Sequence, residues 1–304
     1  MKRYRYKRME HFYIITNGHK DSDLKKTKEI ERYLEKHHKK CTVQVKEMKR
    51  EYGYTDAAQI PEDVDCILVL GGDGTLLQAA RDIIQRDIPL LGINLGTLGY
   101  LAEIEETGMD AALDQLLEGR YEVEQRMMLN GRVVRGKIHI KRHEEKGIPQ
   151  YETEEASALN DIAITRSGSL QIIRFRIYVN GKFLNEYQAD GVIVATPTGS
   201  TGYNLSAGGP IVEPKAELIM ITPVSPHTLN TRSIILAPED QIEVEIGAGR
   251  GEAVQQVEVS FDGSHNVMLY TGDRVVIERA ETTTGIVKLN EASFLEILHR
   301  KLSV

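Results

Sequence analysis

The chain of 304 residues is 41% hydrophobic and 27% charged, with a formal net charge of −7. That is the composition of a globular protein; it excludes a disordered, collagenous or low-complexity chain, and the length exceeds what one core usually supports, so two domains are expected. Apolar runs such as Cys66 to Leu70 fall far short of the roughly 20 residues that span a bilayer, and two cysteines, Cys41 and Cys66, build neither a disulfide framework nor a multi-cysteine zinc site.

The charge is unevenly placed, with 16 Lys/Arg against 7 Asp/Glu in the first fifty residues. Lys2 to Arg8 are basic, but no long apolar stretch follows them, so they do not read as a secretory signal and the cytoplasm is the expected compartment. Lys25, Lys26, Lys28, Arg32, Lys36, Lys39 and Lys40 read as the solvated face and C-terminal end of one helix, where cations complement the dipole. No nucleic-acid motif accompanies them. Neither nucleic acid nor membrane is an expected partner.

In chain order, Phe12 to Ile15 is a short apolar run ending at Asn17-Gly18. Asp21 or Ser22 then caps a predicted helix reaching about His37, with Leu24, Ile30, Tyr33 and Leu34 at its apolar positions. Cys41 to Val45 alternates as a strand. Val64 to Leu70 is a continuous apolar strand, Thr75 to Arg86 a helix, and Pro89 to Leu95 another apolar strand. Strands of this kind, separated by helices, imply a parallel sheet covered on both faces. From about Tyr121 the pattern changes. Lys137 to Ile140 and Arg174 to Val179 alternate polar and apolar residues as strands do, and Asn180-Gly181 is a strong hairpin signal. Further strands are predicted at 158–165, 191–196, 217–222, 232–236, 241–246, 254–260 and 273–278. Residues 143–157 read as a long hairpin loop and Gly247 to Gly251 as another. Ala292 to Leu302 has helical spacing and is expected to pack back onto a domain.

Three glycine-rich segments carry the chemistry. Gly71-Gly72-Asp73-Gly74-Thr75 lies between a buried strand and a helix, where open α/β sheets bind ligands and where free N–H groups attract anions. A carboxylate there makes sense if Asp73 takes a proton from a hydroxyl that attacks a phosphoryl group; the competing reading is a helix cap. Gly92 to Tyr100 follows the next strand and fits a second nucleotide-contacting loop or a plain turn. Ala195 to Pro210 is dense in hydroxyls and glycines, with Tyr203 offering a ring to a base. Asn160-Asp161, an amide beside a carboxylate, suits ribose hydroxyls or a base edge. There is no G-x-x-x-x-G-K-[ST] loop, no G-x-G-x-x-G opening a helix after the first strand, and no paired histidine spacing for zinc.

Gly71 to Gly74, Asn94 to Leu101, Ala158 to Asp161 and the 195–210 block, in this order, closely resemble bacterial NAD kinases (the ATP-NAD kinase family), as does Thr222 to Leu229. The resemblance spans roughly 65–290. The GGDG element alone is shared with lipid kinases and phosphofructokinases. The resemblance implies an α/β plus β protein: a Rossmann-like parallel-sheet domain over 1–122, an all-β sandwich-like domain over 123–285, and a segment over 286–304 returning to the first. It implies Mg²⁺-dependent (or other divalent metal) phosphorylation by ATP of the adenosine 2′-hydroxyl of NAD, giving NADP, at the domain interface in a homo-oligomer, a dimer or tetramer. Asp73 would be the general base, and Gly71, Gly72, Gly74 and Thr75 the phosphate loop. Asp73 and Gly74 would also touch NAD, together with Tyr100, Asn160, Asp161, Gln188, Asp190, Thr201, Gly202, Tyr203, Asn204, Leu205 and Ser206. Many relatives have Ala at Gly202, Arg at Gln188, Glu at Asp161 and Gln near Ser264; Gln188 in place of Arg removes a charge near the ligand. The alternatives are another GGDG-type kinase acting on lipids, or a non-catalytic dinucleotide sensor.

Overall fold

A computed structural model describes residues 8–46, 55–96, 99–102, 104–105, 108–145, 154–168, 172–228, 232–289 and 293–303. The basic residues 1–7, Thr97 and Leu98 of the second glycine-rich segment, 146–153 of the expected long loop, and Leu229 lie outside them. The chain divides into two compact units, Met1–Arg126 with Thr282–Val304, and Met127–Glu281.

The first unit is a parallel α/β sheet. Its elements are β1 (His11–Asn17), α1 (Lys25–Lys36), β2 (Lys40–Lys46), β3 (Cys66–Gly71), α2 (Asp73–Asp82), β4 (Leu90–Asn94), the two-residue β5 (Ile104–Glu105) and α3 (Met109–Leu117). The strand order is β2-β1-β3-β4, with each of these pairings parallel. Alternate strand residues Phe12, Ile14, Cys66, Leu68, Leu70, Leu91 and Ile93 share one buried cluster with Ile30 and Leu34 of α1 and Leu113 and Leu116 of α3. Gly92 faces the other way, and Leu76 of α2 fills the space where its side chain would stand. Both faces are therefore covered, which explains why these strands are apolar throughout. Asp21 accepts from the N–H groups of Lys26 and Thr27 at 2.9 and 2.8 Å and so caps α1 across a short 3₁₀ turn. The second helix starts two residues before the predicted Thr75 and ends at Asp82 rather than Arg86.

The second unit is an antiparallel β sandwich. It contains the end of β6 (Glu122–Val134), α4 (Lys137–Glu145), β7 (Glu155–Ala158), β8 (Asp161–Arg166), β9 (Ile173–Val179), β10 (Lys182–Ala189), β11 (Gly191–Ala195), the single-turn α5 (Tyr203–Ser206), β12 (Ile219–Val224), β13 (Ile234–Leu236), β14 (Ile242–Ile246), β15 (Gln256–Phe261), β16 (His265–Tyr270) and the start of β17 (Arg274–Lys288). One sheet runs β13-β12-β11-β8-β15-β16, and the other has β10, β9, β14 and β17 as neighbours. Ile162, Ile164, Val192, Val194, Val257 and Val259 of the first share a core with Phe175, Ile177, Ile242, Val244, Val275 and Ile277 of the second. Ile193, Ala195 and Met220 point out of that core and are covered by Ala207 and Val212. The 195–210 block thus roofs the back of its own sheet. The end of β17 belongs to the first unit, where Ile286 pairs with Leu90 in parallel, and α6 (Phe294–Leu302) follows with a Ser293–Glu296 capping box. Among the described residues no helix is long and apolar enough to cross a membrane.

Two expectations are overturned and a third is shortened, since the loop expected over 143–157 begins inside α4, which runs to Glu145, and ends inside β7, which starts at Glu155. Lys137 to Ile140 is the first turn of α4 and not a strand. Four alternating residues are too few to separate a period of 2 from 3.6, and buried Asp273 decides the matter. Its Oδ1 accepts the Gly136 N–H at 2.6 Å, and its Oδ2 lies 2.9 Å from His139 Nδ1, drawing His139 inward. Gly247 to Gly251 is no hairpin loop either, because β14 and β15 belong to different sheets. Nor did the pattern reveal α3, β6 and β16, and β17 is far longer than 273–278.

Asn180 and Gly181 both have positive φ, +50° and +73°, as a two-residue hairpin turn requires. A Cβ on Gly181 meets nothing within 4 Å, so only backbone strain opposes Gly181→Ala. The expected destabilisation is about 1 kcal/mol, measured by urea unfolding.

Candidate functional site

In the first unit the three strands β1, β3 and β4 end side by side. Thr16 pairs with Leu70 and Gly71 with Asn94, so the turns that follow begin at one level. The Leu95 N–H donates to Gly71 O at 2.9 Å, tying the turn after β4 to that after β3. Gly71 needs its bare Cα, because the Thr75 side chain occupies the place of a Cβ. Gly72 and Gly74 are half-buried and exposed.

Asp73 does not cap its own helix. Its carboxylate turns to the stretch after β4, where Oδ2 accepts the Tyr100 N–H at 2.8 Å and Oδ1 the N–H groups of Leu101 and Ala102, both at 3.4 Å. The grip depends on Gly99, since any Cβ there would overlap the carboxylate. Tyr100 thus serves Asp73 through its backbone, while its ring faces Lys301 Nζ at 4.9 Å.

In the second unit Asn160-Asp161 opens β8 beside the 195–210 block. Asn160 O accepts the Thr196 N–H at 2.9 Å, and Gly199 packs so closely on that carbonyl that no side chain fits there. Asn160 Oδ1 and Thr198 Oγ1 are buried with no hydrogen-bond partner among the described residues. A Cβ at Gly202 would lie 3.3 Å from Asn160 Nδ2 and 3.9 Å from Asp161 Oδ2, so an Ala at this position would line the same pair. Several of the block's polar side chains bond within the protein. Thr196 Oγ1 donates to Leu159 O, and Ser200 Oγ bonds Val212. Asn204 spends its amide on Ser200 O, Pro210 O and the Thr222 hydroxyl, which makes it an internal brace. Tyr203 and Ser206 are exposed, and Thr201 and Leu205 half-buried. Further along the same unit, Gln188 is exposed, and its carbonyl accepts the His227 N–H at 2.9 Å. Asp190 Oδ1 lies 3.5 Å from Arg166 Nε, so a guanidinium stands at this carboxylate although Gln188 carries none.

Asp262 is the residue the sequence reading missed. Its carboxylate accepts the N–H groups of Leu159 and Asn160 at 2.8 Å each and of Asp161 at 3.1 Å, holding the turn before β8. Asp262-Gly263, both at positive φ (+50° and +66°), forms the turn between β15 and β16, and this Asp-Gly dipeptide was the available signal. Burial, and next the nearby charge of Asp262, push the Asp161 carboxyl up to about 7. An unfolded chain releases that proton near pH 4. The stabilisation is therefore complete below about pH 4 and is lost as pH rises to about 7, because above that the folded chain holds an ionised Asp161 at a cost. Asp161→Asn keeps the shape without the charge. It is expected to raise the melting midpoint over wild type at pH 8, with the gain vanishing at pH 4, as followed by thermal denaturation across that range.

Two family models match the chain, the ATP-NAD kinase N-terminal domain over residues 12–121 and the ATP-NAD kinase C-terminal domain over 159–289. The NAD kinase of Lachnoclostridium phytofermentans is 45% identical over 293 residues, 96% of this chain and 99% of the relative. That of Lachnospira eligens is 42% identical over 306 residues, 97% of this chain and 100% of the relative. Among solved structures, yeast NADH kinase complexed with NADH aligns with a TM-score of 0.83 at 24% identity, over 97% of this chain and 88% of that one, a likeness of fold. An NAD kinase from Archaeoglobus fulgidus in complex with ATP aligns with a TM-score of 0.72 at 25% identity, over 96% and 98%. These matches leave the lipid-kinase alternative without support, and the chain belongs to the NAD kinase family of enzymes.

Proposed function

We propose that the chain transfers the γ-phosphoryl group of ATP to the 2′-hydroxyl of the adenosine ribose of NAD, giving NADP and ADP, with Asp73 as the general base. The observation that carries this reading is the setting of the Asp73 carboxylate. Of its four or so lone-pair directions, three are taken by backbone N–H groups that fix the carboxylate in place, which leaves one to accept a proton. In the step itself the ribose oxygen gives its proton to Asp73, bonds to the γ-phosphorus, and the bond to the ADP oxygen breaks. Gly71, Gly72, Gly74 and Thr75 offer backbone and hydroxyl groups to the triphosphate. Asn160 and Thr198, whose buried oxygens have no partner among the described residues, supply polar contacts to NAD beside Asp161, Gly202 and Tyr203, and Asp190 and Gln188 complete the set. The Archaeoglobus relative, crystallised with ATP, supports ATP as donor.

Among the described residues no group of three or more His, Cys, Asp or Glu is placed to hold a metal ion. Mg²⁺ is read as part of the substrate MgATP, bound mainly through phosphate oxygens. The same reading makes the protein a cytoplasmic homo-oligomer. The oligomer is supported by β10 and β13, which end their strand orders and expose Phe183, Leu184 and Ile235, as edges that pair with another chain do. Light scattering is expected to give a dimer or tetramer mass, and a monomer would remove the oligomer.

The deciding experiment follows NADP formation from NAD and MgATP through a coupled NADP-specific dehydrogenase. Asp73→Asn is expected to lower kcat by about 10²–10⁴ while leaving NAD binding near wild type, and to lower the melting midpoint because its NH₂ faces a backbone N–H from which the carboxylate accepts; near-normal turnover would sink the assignment of the base. Gly99→Ala, which displaces the carboxylate without removing it, is expected to lower kcat in the same direction by at least about tenfold.

A further inference from the structure

We propose that Lys20, in the turn between β1 and α1, is a further binding residue for this reaction, contacting the triphosphate of the nucleotide donor. The inference deepens the proposed function and rests on ATP being that donor.

The argument starts from topology. In the order β2-β1-β3-β4 the chain leaves β1 toward one edge of the sheet and β3 toward the other. The crevice beyond the carboxyl ends of two such strands is where open α/β sheets take their ligands. Two turns border it, 18–21 after β1 and 71–74 after β3. The first is folded tightly on itself. Asn17 O accepts the N–H groups of Lys20 and Asp21 at 2.9 and 3.0 Å, and Asn17 Oδ1 accepts the His19 N–H at 3.1 Å. This places the root of the Lys20 side chain beside the crevice.

The side chain then crosses it. Lys20 Nζ lies 2.7 Å from the point where a Cβ on Gly72 would stand, so the ammonium rests on the bare backbone of the glycine-rich turn. A side chain at 72 would exclude it from that place. Among the described residues no carboxylate pairs with Lys20.

Lys20 is exposed, so water solvates the ammonium in this position. Gly72 immediately precedes α2, and the start of a helix is the positive end of its dipole, which repels an ammonium. An anion between the two reverses the sign, because phosphate oxygens then accept from the backbone N–H groups on one side and from Lys20 on the other. A flexible lysine suits this role as a point charge that follows the phosphate chain. Lys20 moves no proton and acts by binding.

The test titrates the full chain with MgATP, adenosine and NAD by calorimetry, alongside turnover. Lys20→Met keeps the stem and removes the charge, and Lys20→Arg restores a charge. The expected result is that Lys20→Met weakens MgATP binding and raises the KM for ATP by about tenfold, as loss of a charge-assisted hydrogen bond would. Adenosine affinity, NAD affinity and the melting midpoint stay at wild-type values, and Lys20→Arg recovers most of the loss. MgATP affinity of Lys20→Met within about twofold of wild type overturns the proposal. So does a parallel loss of NAD affinity and melting midpoint, which would mark Lys20 as a brace for the turn. Wild-type protein that binds MgATP but forms no NADP refutes the proposed reaction and leaves the MgATP titration to decide on Lys20. Wild-type protein that does not bind MgATP refutes both.

Discussion

Three backbone N–H groups of residues 100–102 converge on the Asp73 carboxylate, and most of the first unit is arranged so that they can. The carboxylate leaves α2 at its first residue, while the donors follow β4. They meet because β3 and β4 are parallel neighbours in register at Gly71 and Asn94, and because position 99 has no side chain to fill the gap. A carboxylate bound in this way is held without a cation, and its orientation is set by the backbone of a sheet and not by a mobile side chain. That is the preorganisation the proposed proton transfer to Asp73 requires. The core beneath, where Leu68, Leu70 and Ile93 are buried against α1 and α3, gives those strand ends their rigidity.

The second unit solves a similar problem with the roles of backbone and side chain repeated at another place. Asp262 gathers the N–H groups of residues 159–161, and Asn160 is thereby presented with its side-chain oxygen unpartnered among the described residues. The arrangement costs stability. It buries Asp161 next to the charge of Asp262 and moves its titration up to about 7, so the folded chain is strained at neutral pH by a residue proposed to contact the ligand. Groups whose titration is displaced by burial and a named neighbour concentrate at functional sites, and here the displacement coincides with the position that the family resemblance marks.

Much of this was legible in the sequence because it rests on local rules. Continuous apolar strands ending in glycine predicted a doubly covered parallel sheet. Alternation after Tyr121 predicted antiparallel sheets, and Asn180-Gly181 predicted its hairpin. The density of Ser and Thr in the 195–210 block was a weaker guide, since Thr196, Ser200 and Asn204 turn inward to hold the block on its own sheet. Lys137 to Ile140 misled because a distant residue, Asp273, decides between two periods that four residues do not separate.

The sequence by itself determined the apolar strands of the parallel sheet, the helices α1, α2 and α6, the glycine-rich turns, and the identity of the chemical groups available, while β6 and the later part of β17 escaped it. These follow from hydrophobic period and backbone freedom, which act between near neighbours in the chain. Tertiary structure alone decided which of those groups meet. Asp73 and Tyr100 are 27 residues apart, Asp262 and Asn160 are 102 apart, and Lys20 reaches Gly72 only because β1 and β3 are adjacent. Strand pairing across such separations is set by how a whole core buries its apolar faces, so no local pattern records it.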